Sequence, residues 1–283
     1  MKIAIIPNLT RSEAIPVTLD VCRELDSLDI EYFFESEMRD DFGDTNAEFK
    51  SEDSMLSECD AVIAVGGDGS IIYAAHKAMR HDKPVLGINA GRLAFLAGLE
   101  RPELHLLKNL KSGEYEVDKR IILRADIVDK GETVYSRHCI NDAVIAREGK
   151  TQLIDLSVSC NGSEVNNYTG DGIIIATPTG STAYSLSAGG PVIDPKIGCI
   201  LLTPICTHSL FSRSIVFAKD SRFEIKALRK SKTSLSCDGD NPVAIPDSAT
   251  VKIRKSGLSA NFIRIKTDTF MDVLNVKLEQ RRL

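Results

Sequence analysis

The segment Gly66-Gly67-Asp68-Gly69-Ser70 has the residue types and spacing of a turn that could bind a phosphate group. It follows the apolar run Ala61–Val65 and precedes residues 71–79, where apolar side chains recur at helical spacing. Glycines let a backbone turn sharply, and the free amides of a helix N-terminus favour an anion. Asp68 is unusual here because a carboxylate repels phosphate, so it indicates a proton acceptor or a metal ligand. An ordinary strand-to-helix turn capped by Asp68 is the alternative.

Two other phosphate-binding patterns are incomplete. Gly149-Lys150-Thr151 is similar to the end of a P-loop, but Val144 stands where that motif needs its first glycine. The glycine-rich turn at residues 66–69 lacks the third glycine of a dinucleotide-binding fingerprint, because Ile72 occupies that position. Neither pattern therefore supports its usual nucleotide site.

A second segment with chemical potential is rich in hydroxyl groups. Five Ser or Thr residues lie between Thr177 and Ser185, directly after the apolar run Gly172–Ala176. These residues are too polar for a core and carry too little charge for a plain surface. They indicate a loop and helix N-terminus that offer hydroxyls to a polyhydroxylated or phosphorylated ligand, with an ordinary Ser/Thr-rich loop as the alternative. No G-x-S-x-G elbow is present, so a serine nucleophile is not expected.

Four further polar residues, taken one at a time, are typical of turns. Asn141 and Asp142 follow the strand-like run Tyr135–Ile140, and Asp171 and Asp238 each stand beside glycine. The five His residues show no spacing typical of metal ligands. The sequence therefore predicts no metal site built from histidine.

Composition restricts the class of protein. The 283 residues suffice for one large or two ordinary domains, and 43% hydrophobic with 27% charged residues is typical of a globular chain. No apolar run approaches the ~20 residues of a membrane helix, and the first residues are too short for a signal peptide, so we expect a cytoplasmic protein without a membrane partner. The net charge of −5 argues against general nucleic-acid binding. Seven cysteines without a C-x-x-C pair predict neither a disulfide framework nor a zinc site.

Charge is unevenly distributed along the chain. Residues 1–60 contain five basic and 16 acidic residues, a net charge of −11. The acidic residues crowd between Glu35 and Asp60, where large apolar residues are few. We expect this acidic segment to be a solvated, mobile part of the surface, with a regulatory acidic arm as the alternative.

The elements that must position these residues differ between the two halves of the chain. Strands are predicted at Lys2–Ile6, Glu31–Glu35, Ala61–Val65 and Pro84–Ile88, and helices at residues 13–28 with Ser12 as cap, at 71–79 and at Glu103–Leu110. This alternation indicates an α/β domain. Beyond residue 115, Asp129-Lys130-Gly131 and Asn161-Gly162 separate strand-like runs and predict two hairpins, so the second half is expected to be β-rich.

Together these segments resemble the ATP-dependent NAD kinases. The GGDG turn at residues 66–69, the pair Asn141–Asp142 and the hydroxyl-rich segment Thr177–Pro191 occur in the order of that family. Residues 87–96 (GINAGRLAFL) and 203–210 (TPICTHSL) are also similar to segments of the family. The resemblance covers most of the chain. The hydroxyl-rich segment is its most specific part, since a GGDG turn is shared with lipid kinases and phosphofructokinases.

The resemblance implies a two-domain fold. An α/β, Rossmann-like N-terminal domain with the GGDG turn would comprise residues 1–115 plus about 260–283, and a β-rich NAD-binding domain would comprise residues 116–259. The C-terminal segment would return to the first domain, and NAD would lie between the domains, often with a neighbouring subunit contributing. The implied partners are NAD and ATP as substrates and further copies of the chain in a homodimer or homotetramer.

The same resemblance implies transfer of the γ-phosphoryl group of ATP to the 2′-hydroxyl of the adenosine ribose of NAD, which makes NADP. Asp68 would take the proton of that hydroxyl, and the amides of Gly66, Gly67 and Gly69 would bind nucleotide phosphates. Mg²⁺ or another divalent cation would arrive with ATP, held largely by phosphate oxygens and water.

The other residues implied by the resemblance would bind NAD. The ribose hydroxyls would lie near Asn141 and Asp142. The remaining contacts would be Phe95, Thr182 and Ser187 around the adenine, Tyr184 and Asp171 on the nicotinamide side, and Ala183. Asp142 stands where Glu is usual in the family, so its reach is one methylene shorter.

Two alternative functions are kept open. A related kinase acting on a lipid or a sugar would be expected to lack the hydroxyl-rich segment, which is complete here. A non-catalytic NAD(H)-binding sensor would be favoured by loss of Asp68, which is present. ATP or polyphosphate as donor, NAD or NADH as acceptor, and dimer or tetramer are alternatives that the residues leave open.

Overall fold

The computed structural model describes residues 1–91, 94–149, 152–208, 212–228 and 231–280; the side chains of residues 277–280 lie outside this description. Arg92, Leu93, Lys150, Thr151, Ser209 and Leu210, which belong to segments considered above, also lie outside it. Contacts divide the chain into two units: Met1–Lys119 together with the chain from Ala260 onward, and Arg120–Ser259. Among the described residues, no helix is both long and apolar enough to cross a membrane.

The first unit alternates strands and helices. In chain order it contains β1 (Lys2–Pro7), α1 (Ala14–Ser27), β2 (Glu31–Glu35), α2 (Arg39–Phe42), β3 (Glu48–Lys50), α3 (Glu52–Glu58), β4 (Ala61–Gly66), α4 (Asp68–Ala78), β5 (Val85–Asn89), β6 (Leu99–Glu100) and α5 (Lys108–Ser112), with 3₁₀ turns at Ser36–Met38, Met79–His81 and Arg101–Leu107.

The second unit consists mainly of strands. They are β7 (Glu116–Asp129), β8 (Glu132–Cys139), β9 (Asp142–Arg147), β10 (Ile154–Cys160), β11 (Ser163–Gly170), β12 (Gly172–Ala176), β13 (Cys199–Ile205), β14 (Ile215–Ala218), β15 (Arg222–Ala227), β16 (Thr233–Cys237), β17 (Val243–Ile245) and β18 (Thr250–Arg264), with a 3₁₀ turn at Thr179–Thr182 and α6 (Tyr184–Ser187); α7 (Phe270–Gln280) follows in the first unit.

A parallel sheet forms the centre of the first unit, in the order β5-β4-β1-β2-β3. Every residue of β4 is buried, as expected for a parallel strand covered on both faces. The carboxyl end of β4 leads directly into α4, so the GGDG turn lies at the edge of a parallel sheet where ligands commonly bind. At the C-terminal end of β18, Phe262 pairs with Val85 of β5, and Ile263 joins the core of this unit. The predicted return of the C-terminal segment is confirmed.

Two antiparallel groups of strands form the second unit. One contains β11-β10-β15-β18 together with the β7–β8 hairpin, and the other has the order β14-β13-β12-β9-β16-β17. Both predicted hairpins are confirmed. Lys130 and Gly131 have φ of 49° and 90°, and Asn161 and Gly162 have φ of 53° and 83°, which are values that a two-residue type I′ turn requires. The expected fold class, α/β followed by β-rich, is therefore confirmed.

Three local predictions are wrong. The acidic segment between Glu35 and Asp60 is folded rather than mobile, because Phe42, Met55 and Leu56 are buried in the first unit. Ser12 is not the cap of α1; the helix begins after Glu13, which makes no capping side-chain hydrogen bond. The helix expected over Glu103–Leu110 is a 3₁₀ turn followed by the short α5.

Candidate active site

The GGDG turn is tightly built where β4 meets α4. A Cβ on Gly66 would come within 2.4 Å of Ser70 Oγ, so only glycine permits this approach. A Cβ on Gly69 would meet nothing within 4 Å, and Gly69 is exposed. The turn therefore combines a sterically required glycine with an open position that leaves room for a ligand. Asp68 is the first residue of α4.

The carboxylate of Asp68 accepts two backbone hydrogen bonds. The N–H of Phe95 donates to Oδ2 at 2.9 Å, and the N–H of Leu96 donates to Oδ1 at 2.8 Å. A carboxylate oxygen can accept more than one hydrogen bond. Asp68 thus fixes the backbone at residues 95–96 beside the GGDG turn and can still accept a proton from a ligand. The first of these roles was not visible in the sequence, because 27 residues separate the partners.

In the second unit, Asp238 organises the backbone around Asn141 and Asp142. Its Oδ1 accepts from the N–H groups of Asn141 at 2.7 Å and Asp142 at 3.0 Å, and its Oδ2 accepts from Ile140 at 2.7 Å. Asp238 was expected only to be a turn residue. The structure makes it the residue that fixes Asn141–Asp142, and its Asp-Gly turn sequence carried no sign of this partner almost a hundred residues away.

Asp142 is a buried carboxyl group next to another carboxyl group. Burial, reinforced by the negative charge of Asp238, raises the pKa of Asp142 from 3.8 to about 7. The group therefore changes charge near neutral pH, which is uncommon for an aspartate. Such a shift is typical of functional sites.

The hydroxyl-rich segment packs against the same backbone. Thr177 donates from its N–H to Asn141 O at 2.8 Å and from its hydroxyl to Ile140 O at 2.6 Å. A Cβ on Gly180 would lie only 2.1 Å from Asn141 O. The structure thus brings together Asn141–Asp142, Asp238 and the hydroxyl-rich segment, which lie far apart in sequence.

Most hydroxyls of this segment do not face a ligand, contrary to the expectation from composition. Thr177, Thr179, Ser181 and Ser185 are buried, and each of their hydroxyls has a protein partner: Ile140 O, the guanidinium of Arg120, Pro178 O and Thr203 Oγ1. Small hydroxyl side chains can satisfy their hydrogen bonds within a tightly packed turn. Among the residues of this segment with accessible surface are Thr182, Ala183, Tyr184 and Ser187.

Asp171 lies apart from Asn141 and Asp142. It precedes β12, while Ala176 at the other end of that strand pairs with Asp142. Five residues of strand separate the two ends, or about 13 Å. The Oδ1 of Asp171 accepts from Nε of Arg147 at 2.7 Å. Asp171 therefore belongs to a different part of the second unit.

Family models of known proteins match both halves of the chain. The ATP-NAD kinase N-terminal domain matches residues 3–115, and the ATP-NAD kinase C-terminal domain matches residues 140–265. Fold and site thus define a two-domain kinase with a glycine-rich turn at the end of a parallel strand. The matches span most of the sequence, and the chain belongs to the ATP-NAD kinase family.

Individual relatives agree with this assignment. An NAD kinase of Thermoanaerobacter sp. (strain X514) is 34% identical over 282 residues, 99% of each chain. An NAD kinase of Symbiobacterium thermophilum is 40% identical over 229 residues, 80% of this chain and 81% of the other. Yeast NADH kinase complexed with NADH superposes with a TM-score of 0.89 and 23% identity over 99% of this chain and 87% of that one. An NAD kinase from Archaeoglobus fulgidus in complex with ATP superposes with a TM-score of 0.75 and 24% sequence identity over 99% of both chains. These two structures show the shared fold.

Proposed function

We propose that this chain transfers the γ-phosphoryl group of ATP to the 2′-hydroxyl of the adenosine ribose of NAD, forming NADP and ADP. The observation that carries the proposal is the match to both domains of the ATP-NAD kinase family with Asp68 intact at the start of α4. A lipid or sugar kinase would not account for the C-terminal match, and a sensor without activity would not need a proton acceptor at this turn.

The first unit supplies the phosphate turn and the proton acceptor. The backbone amides of Gly66, Gly67 and Gly69 bind phosphate oxygens, and the positive end of the α4 dipole favours their charge. Asp68 accepts the proton of the 2′-hydroxyl as that oxygen attacks the γ-phosphorus, and ADP leaves. The hydrogen bonds from residues 95 and 96 fix the orientation of the acceptor.

The second unit supplies most of the dinucleotide contacts. Asn141 and Asp142 hold the ribose hydroxyls, on a backbone that Asp238 fixes. Further NAD contacts in this proposal are Phe95, Thr182 and Ser187 around the adenine, Tyr184 and Asp171 on the nicotinamide side, and Ala183. Tyr184 supports this role because 46% of its surface is exposed although it lies beside buried residues.

A divalent cation, Mg²⁺ or a similar ion, belongs to the proposed reaction and neutralises charge on the transferred phosphoryl group when bound. Among the described residues, no three His, Cys, Asp or Glu side chains are grouped to hold a metal ion. In this proposal the cation arrives with ATP and is held largely by phosphate oxygens and water. Asp68 is the carboxylate of this chain that lies at the phosphate turn.

The same proposal includes a homodimer or homotetramer in the cytoplasm. The position of Asp171, about 16 Å along the chain from Ala176, the residue of β12 that pairs with Asp142, supports an assembly in which Asp171 serves the nicotinamide end of NAD bound to another copy. Light scattering with and without NAD would measure the assembly.

The test is NADP formation by the purified chain, with ATP or polyphosphate as donor and NAD or NADH as acceptor. The wild type should form NADP from ATP, Mg²⁺ and NAD. Asp68→Asn should lower kcat by roughly 10²–10⁴, while NAD binding should stay within about tenfold. Near-wild-type turnover in Asp68→Asn would show that Asp68 only fixes the backbone at residues 95–96. NAD binding without turnover in the wild type would favour a sensor.

A further inference from the structure

Arg11 lies against the GGDG turn. A Cβ built on Gly67 would meet Nη1, Cζ and Nη2 of Arg11 at 3.6, 3.7 and 3.7 Å. Three nearly equal distances mean that the guanidinium turns its flat face toward Gly67. Its N–H edges therefore point along the surface of the turn, where they can donate in the plane of the group. On one side, Nη1 lies 2.9 Å from a Cβ built on Gly91.

The loop that carries Arg11 is fastened to the same turn. Asn8 donates from Nδ2 to Ser70 Oγ at 2.8 Å, and its own N–H donates to Val65 O at 3.0 Å. Asn8 Oδ1 accepts from the N–H and the hydroxyl of Thr10 at 3.1 and 2.7 Å. The N–H of Arg11 donates to Asn8 O at 3.2 Å. These bonds hold the β1–α1 loop, and with it Arg11, in a fixed position over the start of α4.

Arg11 brings a positive charge to a turn where negative charges would meet. Asp68 places a carboxylate where the phosphates of a nucleotide would lie, and like charges repel. Among the described residues, no carboxylate forms an ion pair with Arg11, and the side chain is exposed. Its positive charge is therefore available to an anion at the turn. Guanidinium groups are suited to phosphate because they present parallel N–H donors.

We propose that Arg11 binds the triphosphate of ATP at the GGDG turn, donating from its N–H edge to phosphate oxygens and offsetting the charge of Asp68. The inference rests on the proposed function, since it names a further substrate-binding residue for that reaction. Neither the glycine-rich motif nor the hydroxyl-rich segment includes Arg11.

The experiment compares Arg11→Gln with Arg23→Gln. Arg23 is a matched control: it lies in α1 of the same unit, its side chain is 71% exposed, and its removal changes the net charge equally. Calorimetry with MgATP and with NAD would give both dissociation constants, and steady-state rates would give both KM values. Arg11→Gln should weaken MgATP binding and raise the KM for ATP by about 10- to 100-fold. Its KM for NAD should stay within about twofold of wild type. Arg11→Lys should recover part of the loss, because it restores the charge without the planar fork.

Two results would overturn the inference. One is MgATP binding by Arg11→Gln within twofold of wild type. The other is an equal rise of both KM values, which would indicate a packing role only. The experiment separates failure of the proposed function from failure of this inference. If the wild type binds MgATP but makes no NADP from any donor and acceptor, the calorimetric comparison still decides the role of Arg11. If the wild type binds no MgATP, Arg11 has no such role.

Discussion

Asp142 is a carboxyl group whose burial makes its ionisation costly. Its pKa is raised from 3.8 to about 7, so between these values the native protein holds a proton that the unfolded chain has released. Stability is therefore lost as pH rises from about 4 to about 7, and the loss is complete above that range. Below pH 4, both states are protonated and Asp142 contributes no pH dependence.

We expect Asp142→Asn, which is neutral at every pH, to remove this loss. Relative to wild type, the free energy of unfolding of the variant should improve by about 2 kcal/mol between pH 5 and pH 8. Urea unfolding at the two pH values measures the difference. Asp220→Asn is the control, because Asp220 is an exposed carboxylate of the same unit, and its curve should follow wild type. A pH-independent difference for Asp142→Asn would show that Asp142 is ionised or protonated throughout.

The same titration should affect NADP binding. In the proposed site, Asp142 lies near the 2′ position, where its negative charge repels the 2′-phosphate of NADP. At pH 8, Asp142→Asn should therefore bind NADP more tightly than wild type by about 1 kcal/mol or more, and wild type should show weak product inhibition. At pH 6 the gain should shrink, because wild-type Asp142 is then mostly protonated. Calorimetric titration at both pH values decides this; equal or weaker binding by the variant at pH 8 would remove Asp142 from the 2′ position.

At the scale of elements, the contact between Gly180 and Asn141 joins the hydroxyl-rich segment to the start of β9. Gly180→Ala would place a methyl group 2.1 Å from a carbonyl oxygen, and both backbones must move to relieve it. We expect a loss of about 3 kcal/mol or more in the free energy of unfolding and a raised KM for NAD. Gly257→Ala in β18 is the matched control, because its Cβ would meet nothing within 4 Å.

The comparison is informative because both substitutions are glycine to alanine in the same unit. Gly257→Ala should change the free energy of unfolding by about 0.5 kcal/mol or less. If Gly180→Ala is equally mild in urea unfolding, the segment can shift away from Asn141 at little cost. The proposed link between this contact and NAD binding would then be wrong.

The elements that sequence could predict are those specified by local signals. Strands β1, β2, β4 and β5 are each centred on a short apolar run, and the two type I′ hairpins depend on turn residues that tolerate positive φ. The elements that were not predicted from the sequence, among them α3 and β9, lacked such local signals. In α3, Met55 and Leu56 are surrounded by acidic and polar residues, so charge density concealed a buried helix. Strand β9 begins at Asp142, inside what looked like a turn.

The candidate site likewise combines features that local sequence predicts with contacts that only the tertiary structure shows. The residue types of the GGDG turn and the hydroxyl-rich segment indicated phosphate and ligand binding, since backbone geometry and local chemistry suffice there. Three contacts depended on tertiary structure: Asp68 with residues 95–96, Asp238 with residues 140–142, and Arg11 over Gly67. No local pattern specifies a partner that lies tens of residues away.

At the scale of the whole molecule, β18 takes part in two hydrophobic cores. Ile253 is buried in the core of the second unit, together with Phe223 and Ile225. Ten residues later, Ile263 is buried in the core of the first unit, together with Leu86 and Ile88. One strand thus carries the chain from the second unit back to the first. Substitutions at Ile253 and Ile263 can therefore test whether the two cores unfold separately.

We predict that each core responds to its own end of β18. Ile263→Ala and Ile253→Ala remove the same atoms from fully packed sites, and each should cost about 2–5 kcal/mol locally. Native-state hydrogen exchange should show faster exchange in β1 and β4 for Ile263→Ala, and in β12 and β13 for Ile253→Ala. Each variant is the control for the other. If both variants accelerated exchange equally in all four strands, the two units would unfold as one cooperative structure, and the shared strand would be the element that couples them.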